Sequence, residues 1–237
     1  MRPSVTVLIA NYNYGRFLKD AIDSAVAQDY DNLSICVVDD CSTDNSWNII
    51  EKYKDCPRRF IGLKTEQSSG PSKARNLGIE NTLDFTDVYA ILDADDAYFK
   101  SKVSTLVAEL SDPNVGVVYA DYITLNTDGI YTNEYKQPFD LLKLHNECIV
   151  HSGSLIRKQA LLDVKEPTGF YDETLRTCED YDLWLRISQK YMMIHVPEFL
   201  SLVRVGSHDS SHTVNKETWN KNYQRVMEKR KLRENIS

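Results

Sequence analysis

The sequence predicts an α/β fold: a mostly parallel central sheet flanked by helices, followed by a smaller sheet and a C-terminal helix. Two observations carry the prediction. Four apolar runs of strand length, at residues 4–10, 33–38, 60–63 and 88–92, alternate with stretches whose apolar residues recur at helical spacing. A β-α-β-α-β-α-β order lays successive strands in parallel through right-handed crossovers and covers both faces of the sheet. Three of the runs also end in polar or acidic residues, Asn11-Tyr12-Asn13, Asp39-Asp40 and Asp93-Ala94-Asp95-Asp96. In such sheets ligands bind at the carboxyl ends of the strands, so these ends form the candidate site.

The elements follow in order. Residues 4–10 (SVTVLIA) are nearly all apolar, as a strand buried on both faces must be. After a polar turn at 11–15, Phe17, Leu18, Ala21, Ile22, Ala25 and Val26 mark a helix ending near Gln28. The second strand, 33–38, leads through Asp39 and Asp40 into a short helix carrying Trp47, Ile50 and Tyr53. A third strand, 60–63, precedes SSGPSKARNLG at 68–78, whose small residues open a helix with Lys73 and Arg75 in its first turn. Free N–H groups and cations at a helix start suit a phosphate, although an ordinary helix start is the commoner case.

The fourth strand, 88–92, delivers Asp93. Beyond it the pattern predicts a helix at 102–110, a strand at 115–120 and a hairpin at 122–135 around Asp128-Gly129. Short helices at 139–145 and 158–164 flank a strand at 153–157. A helix after Glu179 carries Leu183, Trp184, Ile187 and Tyr191, two separate strands are expected at 192–196 and 201–205, and the tail from Asn215 is helical. That tail has Trp219, Tyr223, Val226 and Met227 at core spacing. Its four cations within 229–233 fit a solvated helix end better than an anionic membrane surface.

Composition narrows the function. A chain of 237 residues favours one elaborated domain, and 42% hydrophobic with 27% charged residues is an ordinary globular balance. A net charge of −7 argues against nucleic-acid binding, which needs a basic face. The five cysteines, Cys36, Cys41, Cys56, Cys148 and Cys178, show no CxxC spacing, so neither a disulfide framework nor a zinc site is expected and a reducing compartment is the simplest home. Met1 to Val5 enters a strand directly, so no signal peptide is expected, and no run approaches the ~18 apolar residues of a membrane span. The expectation is a cytoplasmic protein, with peripheral contact at the membrane surface left open.

Asp93, Asp95 and Asp96 put three carboxylates within four positions. Such a cluster repels itself unless it is solvated or held by a hard divalent cation, and Mg²⁺ or Mn²⁺ in turn commonly carries a phosphate. A solvated acidic loop is the ordinary alternative, and the strand in front of the cluster favours the cation. Glu179 and Asp180 stand at a helix start, where the helix dipole stabilises negative charge, which explains one of the two without any function. Neither GxGxxG nor GxxxxGK[ST] occurs.

Five stretches in this order give the chain a family likeness: VLIANYN at 7–13, VVDDCSTD at 37–44, GPSKARNLG at 70–78, LDADD at 92–96 and EDYDLWLR at 179–186. Over about residues 4–211 it resembles the family 2 glycosyltransferases, inverting enzymes with a GT-A fold. The resemblance implies a single Rossmann-like domain over 1–212, with a nucleotide-binding half at 1–100, an acceptor-binding half at 101–212 and a C-terminal helix at 213–237. It implies transfer of a sugar from a nucleotide-sugar donor, UDP-sugar by frequency, to a glycan or lipid-linked saccharide acceptor, with Mn²⁺ or Mg²⁺ as cofactor.

By the same resemblance Ala10 and Tyr12 line the base pocket, and Asp40 accepts from the base. Asp39 joins it there or merely caps its turn. Lys73 or Arg75 lies by the diphosphate or donor sugar. Asp93, Asp95 and Asp96 hold the ribose and the metal, with Asp95 and Asp96 on the metal side. Asp180 is the base, and Glu179 its neighbour. Family members often carry a histidine two residues after an arginine late in the domain, completing the metal shell. Here Val205 and Gly206 follow Arg204, so either His208, two places late and the residue favoured for that role, fills it through a different loop or the metal lacks that ligand; His212 lies further on. Cys41 stands where glycine is usual, which puts the turn geometry in question. Acceptor contacts are expected in 122–169.

The alternative is a non-catalytic nucleotide-sugar-binding relative acting in a polysaccharide assembly complex. A phospho-receiver domain would place its acid pair after the first strand, and a nucleotidyltransferase would carry a Gly-rich basic loop there. Asn11-Tyr12-Asn13-Tyr14-Gly15-Arg16 is neither.

Overall fold

The computed structural model describes residues 2–206 and 216–234. In chain order β1 (Val5–Asn11), α1 (Gly15–Val26), β2 (Leu33–Asp39), α2 (Ser46–Glu51), β3 (Arg59–Lys64), α3 (Pro71–Thr82) and β4 (Val88–Asp93) make the first half. β1 pairs in parallel with β2 on one side and β4 on the other, and β3 adds outside β2. Alternation along β1 decides which helix lies where. Val5, Val7 and Ile9 face the cluster that takes in Leu18, Ala21, Ile22 and Ala25 of α1, whereas Leu8 faces Ala74 and Ile79 of α3. α3 approaches the sheet closely at Gly78, where a Cβ would stand 2.3 Å from Leu8 Cδ1. Asn11 lies opposite Asp39, and Ala10 opposite Asp93, so the three polar strand ends finish in one row.

The second half comprises β5 (Ala97–Tyr98), α4 (Lys102–Ala108), β6 (Val115–Leu125), β7 (Tyr131–Glu134), α5 (Leu141–Leu144), β8 (Leu155–Arg157), α6 (Lys158–Asp163), α7 (Glu179–Ile187), β9 (Met192–Arg204) and α8 (Lys216–Glu234). The sheet runs β3-β2-β1-β4-β8-β6-β9-β5, with β7 paired to β6. β8 is antiparallel to both β4 and β6, so the smaller sheet continues the larger one. Gly129, at φ 77, turns the expected hairpin between β6 and β7.

Several expectations need correction. The strands read at 192–196 and 201–205 are one, β9, parallel to β6. Its register jumps from Ala120↔Val196 to Asp121↔Phe199, leaving Pro197 and Glu198 as an excursion that interrupts the pattern without ending the strand. β5 has only two residues and no periodicity to announce it. α2 ends at Glu51, and Tyr53 lies beyond it, stacked on Phe60 at 5.7 Å. In α8, Val226 is buried, but Trp219 is 40% exposed and stacks on Tyr223 instead of entering the core.

Lys231 is exposed, as a solvated helix end would be, but the other three cations of the basic tail are engaged. Lys229 Nζ lies 2.6 Å from Asp172 and 3.1 Å from Glu166, and Arg233 pairs with Glu166 and with the fully buried Asp182. Arg230 donates to the His145 carbonyl. Among the described residues no helix is long and apolar enough to cross a membrane.

Candidate active site

The row of strand ends carries the first group of expected residues. Asp39 is buried and accepts from Asn11 Nδ2 at 2.8 Å and from the Ser42 amide and hydroxyl, so its carboxylate ties β1 to its own turn. Asp40 accepts from Thr65 Oγ1 (2.9 Å), Ser68 Oγ (3.1 Å) and the amides of Ser69 (2.9 Å) and Gly70 (2.8 Å). It therefore fixes the loop that leads into α3. Ala10 is half-buried beside them, and Tyr12 is 44% exposed.

Two residues of these loops, Asn13 (φ 58) and Cys41 (φ 61), lie in the left-handed region. Each costs about 1–2 kcal/mol relative to an ordinary conformation. Cys41 thus adopts the turn that glycine would enter freely, and the turn geometry survives the exchange. Asn13 offsets its share by accepting from the amides of Thr43 and Asp44.

α3 projects Arg75 inward because its neighbours anchor the helix. Ser72 Oγ donates to the Leu175 carbonyl, and Asn76 exchanges hydrogen bonds with both backbone groups of Tyr171. Arg75, 6% exposed, then spans the site: Nη2 lies 2.8 Å from Asp93 Oδ1, Nη1 lies 2.7 Å from Glu179 Oε1, and the guanidinium stands 5.3 Å over the Tyr171 ring. Its Nε is buried without a partner. Lys73, in contrast, is exposed, so of the two cations at this helix start only Arg75 enters the site.

Asp93 Oδ2 also accepts from Ser152 Oγ at 3.3 Å. The loop after it is held by Arg204, whose amide donates to Asp96 Oδ1 (2.9 Å) and whose Nη1 donates to the Asp95 carbonyl (2.7 Å). Burial, then the charges of Asp93 and Asp95, push the Asp96 carboxyl well above its usual range. Like charges held this close are what a divalent cation with oxygen ligands relieves, so Asp95 and Asp96 fit the expected ion. Among the described residues no group of three or more His, Cys, Asp or Glu is placed to hold a metal. His208, the expected third ligand, and His212 lie outside the described residues.

α7 brings the acid pair. It starts from Cys178 at φ 62, ψ 16, a third non-glycine residue in the left-handed region. Glu179 is buried against Arg75, and Asp182 is spent on Arg186 (2.9 Å) and Arg233 (3.0 Å). Asp180 is half-buried and accepts from the Tyr181 amide. Burial first, then neighbouring Glu179, raise its carboxyl from 3.8 to about 7, against the pull of Arg75. Glu179 is thus held by a cation, while the Asp180 carboxyl beside it is poised near neutrality.

The structure gathers Arg75, Asp93, Glu179 and Asp180 at one place, with the Asp95–Asp96 loop following Asp93. Sequence reasoning missed Ser152, Tyr171 and Asn76 as supports, because their contacts span 59 to 95 positions. In the sequence Arg204 stands only at the start of a motif, and nothing local says that it holds the acidic loop.

Residues 6–164 match the sequence model of glycosyl transferase family 2. An uncharacterized glycosyltransferase of Rickettsia typhi is 31% identical over 89% of this chain and 66% of its own length. The Escherichia coli UDP-Glc:alpha-D-GlcNAc-diphosphoundecaprenol beta-1,3-glucosyltransferase WfaP is 30% identical over 78% of this chain and 70% of its own. Staphylococcus aureus TarS 1-349 in complex with UDP-GlcNAc superposes with a TM-score of 0.76 at 20% identity, covering 94% of this chain and 65% of that one. The Pyrobaculum calidifontis mannosyltransferase PcManGT in complex with GDP-Man and Mn²⁺ gives 0.72 at 18%, covering all of this chain and 65% of that one. The chain thus spans about two thirds of these proteins, and its sheet is that of the GT-A glycosyltransferases. By sequence match, this chain belongs to glycosyl transferase family 2.

Proposed function

We propose that this protein transfers a sugar from a nucleoside diphosphate donor, a UDP-sugar first, to a hydroxyl of a glycan or lipid-linked saccharide in a single inverting displacement. One observation carries the reading: Arg75 joins Asp93 at the end of β4 to Glu179, the neighbour of Asp180, whose carboxyl is poised near neutrality. The UDP-GlcNAc and GDP-Man complexes of TarS and PcManGT support the donor class, and the lipid-diphosphate acceptor named for WfaP supports the acceptor class.

Residues 1–100 serve as the nucleotide half and 101–212 as the acceptor half. Ala10 and Tyr12 wall the base pocket, with Asp40 as its acceptor and Asp39 holding the turn behind it. Arg75 faces the donor sugar and diphosphate, and its unpartnered Nε is a donor in reserve for them. Asp93 is the ribose-side acid, and Asp95 and Asp96, joined by His208, are the residues that would hold Mn²⁺ or Mg²⁺, an ion that stabilises a leaving diphosphate as a Lewis acid. The bond between the anomeric carbon and the diphosphate oxygen breaks as the acceptor oxygen attacks from the opposite face. Asp180 takes the acceptor hydroxyl proton. One base and one displacement invert the anomeric centre, in contrast to the paired carboxylates of a retaining hydrolase.

Calorimetric titration with UDP, GDP and dTDP, with and without Mn²⁺, tests the donor site, and NMR of the product's anomeric proton tests inversion. Tight binding of one nucleotide that needs both the ion and Asp95, lost in Asp95→Ala, supports the reading. Binding of none of the three overturns it. Nucleotide-sugar binding without turnover of any donor would favour an assembly-partner role.

A further inference from the structure

Helix α8 lays one stripe, Asn222, Arg225, Val226, Lys229 and Arg233, along the segment that delivers Asp180. The spacing keeps all five on one helix face. Asn222, 6% exposed, donates from Nδ2 to Thr177 Oγ1 at 2.9 Å. Arg225 donates to the Thr174 carbonyl (3.0 Å) and to Thr174 Oγ1 (2.8 Å), and Thr174 in turn donates to Asp172, which Lys229 holds at 2.6 Å. Val226 is buried in the same cluster as Tyr181 and Leu185 of α7. The chain from 172 to 177 is therefore tied to α8 up to the residue before Cys178.

Cys178 needs that support. A residue with a Cβ stays at φ 62 only where its surroundings over-determine it. No side chain caps the start of α7, so the backbone angles at Cys178 set the direction of the first turn and of Asp180 within it. The donor side shows no such dependence: the described hydrogen bonds of α8 end on residues between 145 and 182, and Arg75 and Asp93 come from α3 and β4.

We propose that α8 is a clamp that holds the left-handed Cys178 turn, and that Asn222 is a positioning residue for Asp180. The catalytic part of this inference rests on the reading of Asp180 as the base, whereas the clamp itself does not.

The test compares the wild type with Asn222→Ala, Cys178→Gly and the double variant, by hydrogen exchange and by release of UDP from UDP-glucose and UDP-GlcNAc with Mn²⁺. Asn222→Ala is expected to speed exchange at 177–182 with no change at 88–96. It should lower kcat about tenfold with an unchanged donor KM, the signature of a misplaced reacting group. Glycine at 178 removes the strain, so the double variant should return to within about twofold of Cys178→Gly alone. Faster exchange at 88–96 as well, or a double variant equal to the product of the two single effects, overturns the clamp. If exchange behaves as expected but no protein, wild type included, releases UDP from either donor, the clamp stands and the reading of these two UDP-sugars as donors is what fails. Arg225→Gln, which loosens Thr174 instead, replaces Asn222→Ala if that variant does not fold.

Discussion

The two ends of Arg75 touch regions built on different principles. On the Asp93 side, four parallel strands finish in one row, and the acids of β2 and β4 stand at the strand ends or within three residues of them. On the Glu179 side, the acid pair sits on a short helix that starts from a strained residue and is held by partners far along the chain. The Asp93 side is positioned by the sheet itself. The Glu179 side is positioned by α8 and by ion pairs, so it should be the softer half and, on the proposed function, the one where distant substitutions change chemistry without changing nucleotide binding.

The largest effect should come from the residue that belongs to both regions. Arg75→Met leaves Asp93 and Glu179 without their shared cation, and breaking a buried pair in this way costs about 3–5 kcal/mol. Thermal melting should show the loss, and calorimetry should show weakened nucleotide binding in whatever fraction folds. Arg75→Met with unchanged melting and binding would remove the bridge from the account.

Lys229→Met should separate the regions. It frees Asp172 and weakens the hold on Glu166, at about 1–3 kcal/mol for a partly exposed cation serving several acids. Stability should fall while nucleotide affinity in the folded protein is kept. Equal losses in both would mean that the halves are coupled more widely than through Arg75.

A third variant reads the burial of Asp180. Its carboxyl is raised from 3.8 to about 7, so the folded protein holds a proton that the unfolded chain has already released over that interval. Stability is therefore lost as pH rises from about 4 to about 7, and it levels off above. Asp180→Asn removes this cost, so its melting temperature should gain on the wild type across that window and keep the gain at pH 8. A constant difference at all pH values would contradict the burial.

The smallest effect belongs to Cys41→Gly, in the turn after β2. Relief of the left-handed cysteine should add about 0.5–1 kcal/mol, less than the full strain because glycine is freer when unfolded.

The same contrast governs how much could be read from sequence. The first half was legible because strands buried on both faces are apolar runs, and because strand ends in a parallel sheet are where polar residues collect. β1, β2 and β4 end within one residue of where they were expected. The second half was legible in parts. β9 looked like two strands because Pro197 and Glu198 leave the register, and the tail cations looked solvated because their acids, Glu166, Asp172 and Asp182, lie 47 to 67 positions away. Arg75 could be named from its motif, yet nothing local says that it reaches both Asp93 and Glu179. The strain at Cys178 has no sequence signal, since a cysteine before an acid pair reads as an ordinary helix start.

The most direct test of the account is Asp180→Asn, with nucleotide binding and UDP release measured on the same preparation across pH 5–9. The account predicts nucleotide affinity equal to the wild type and turnover reduced about 10²–10⁴-fold. The wild-type rate should rise with pH through about 7, as the base loses its proton, and this limb should be absent from the variant. A variant that turns over donor at the wild-type rate, with the limb intact, would contradict the assignment of Asp180 as the base.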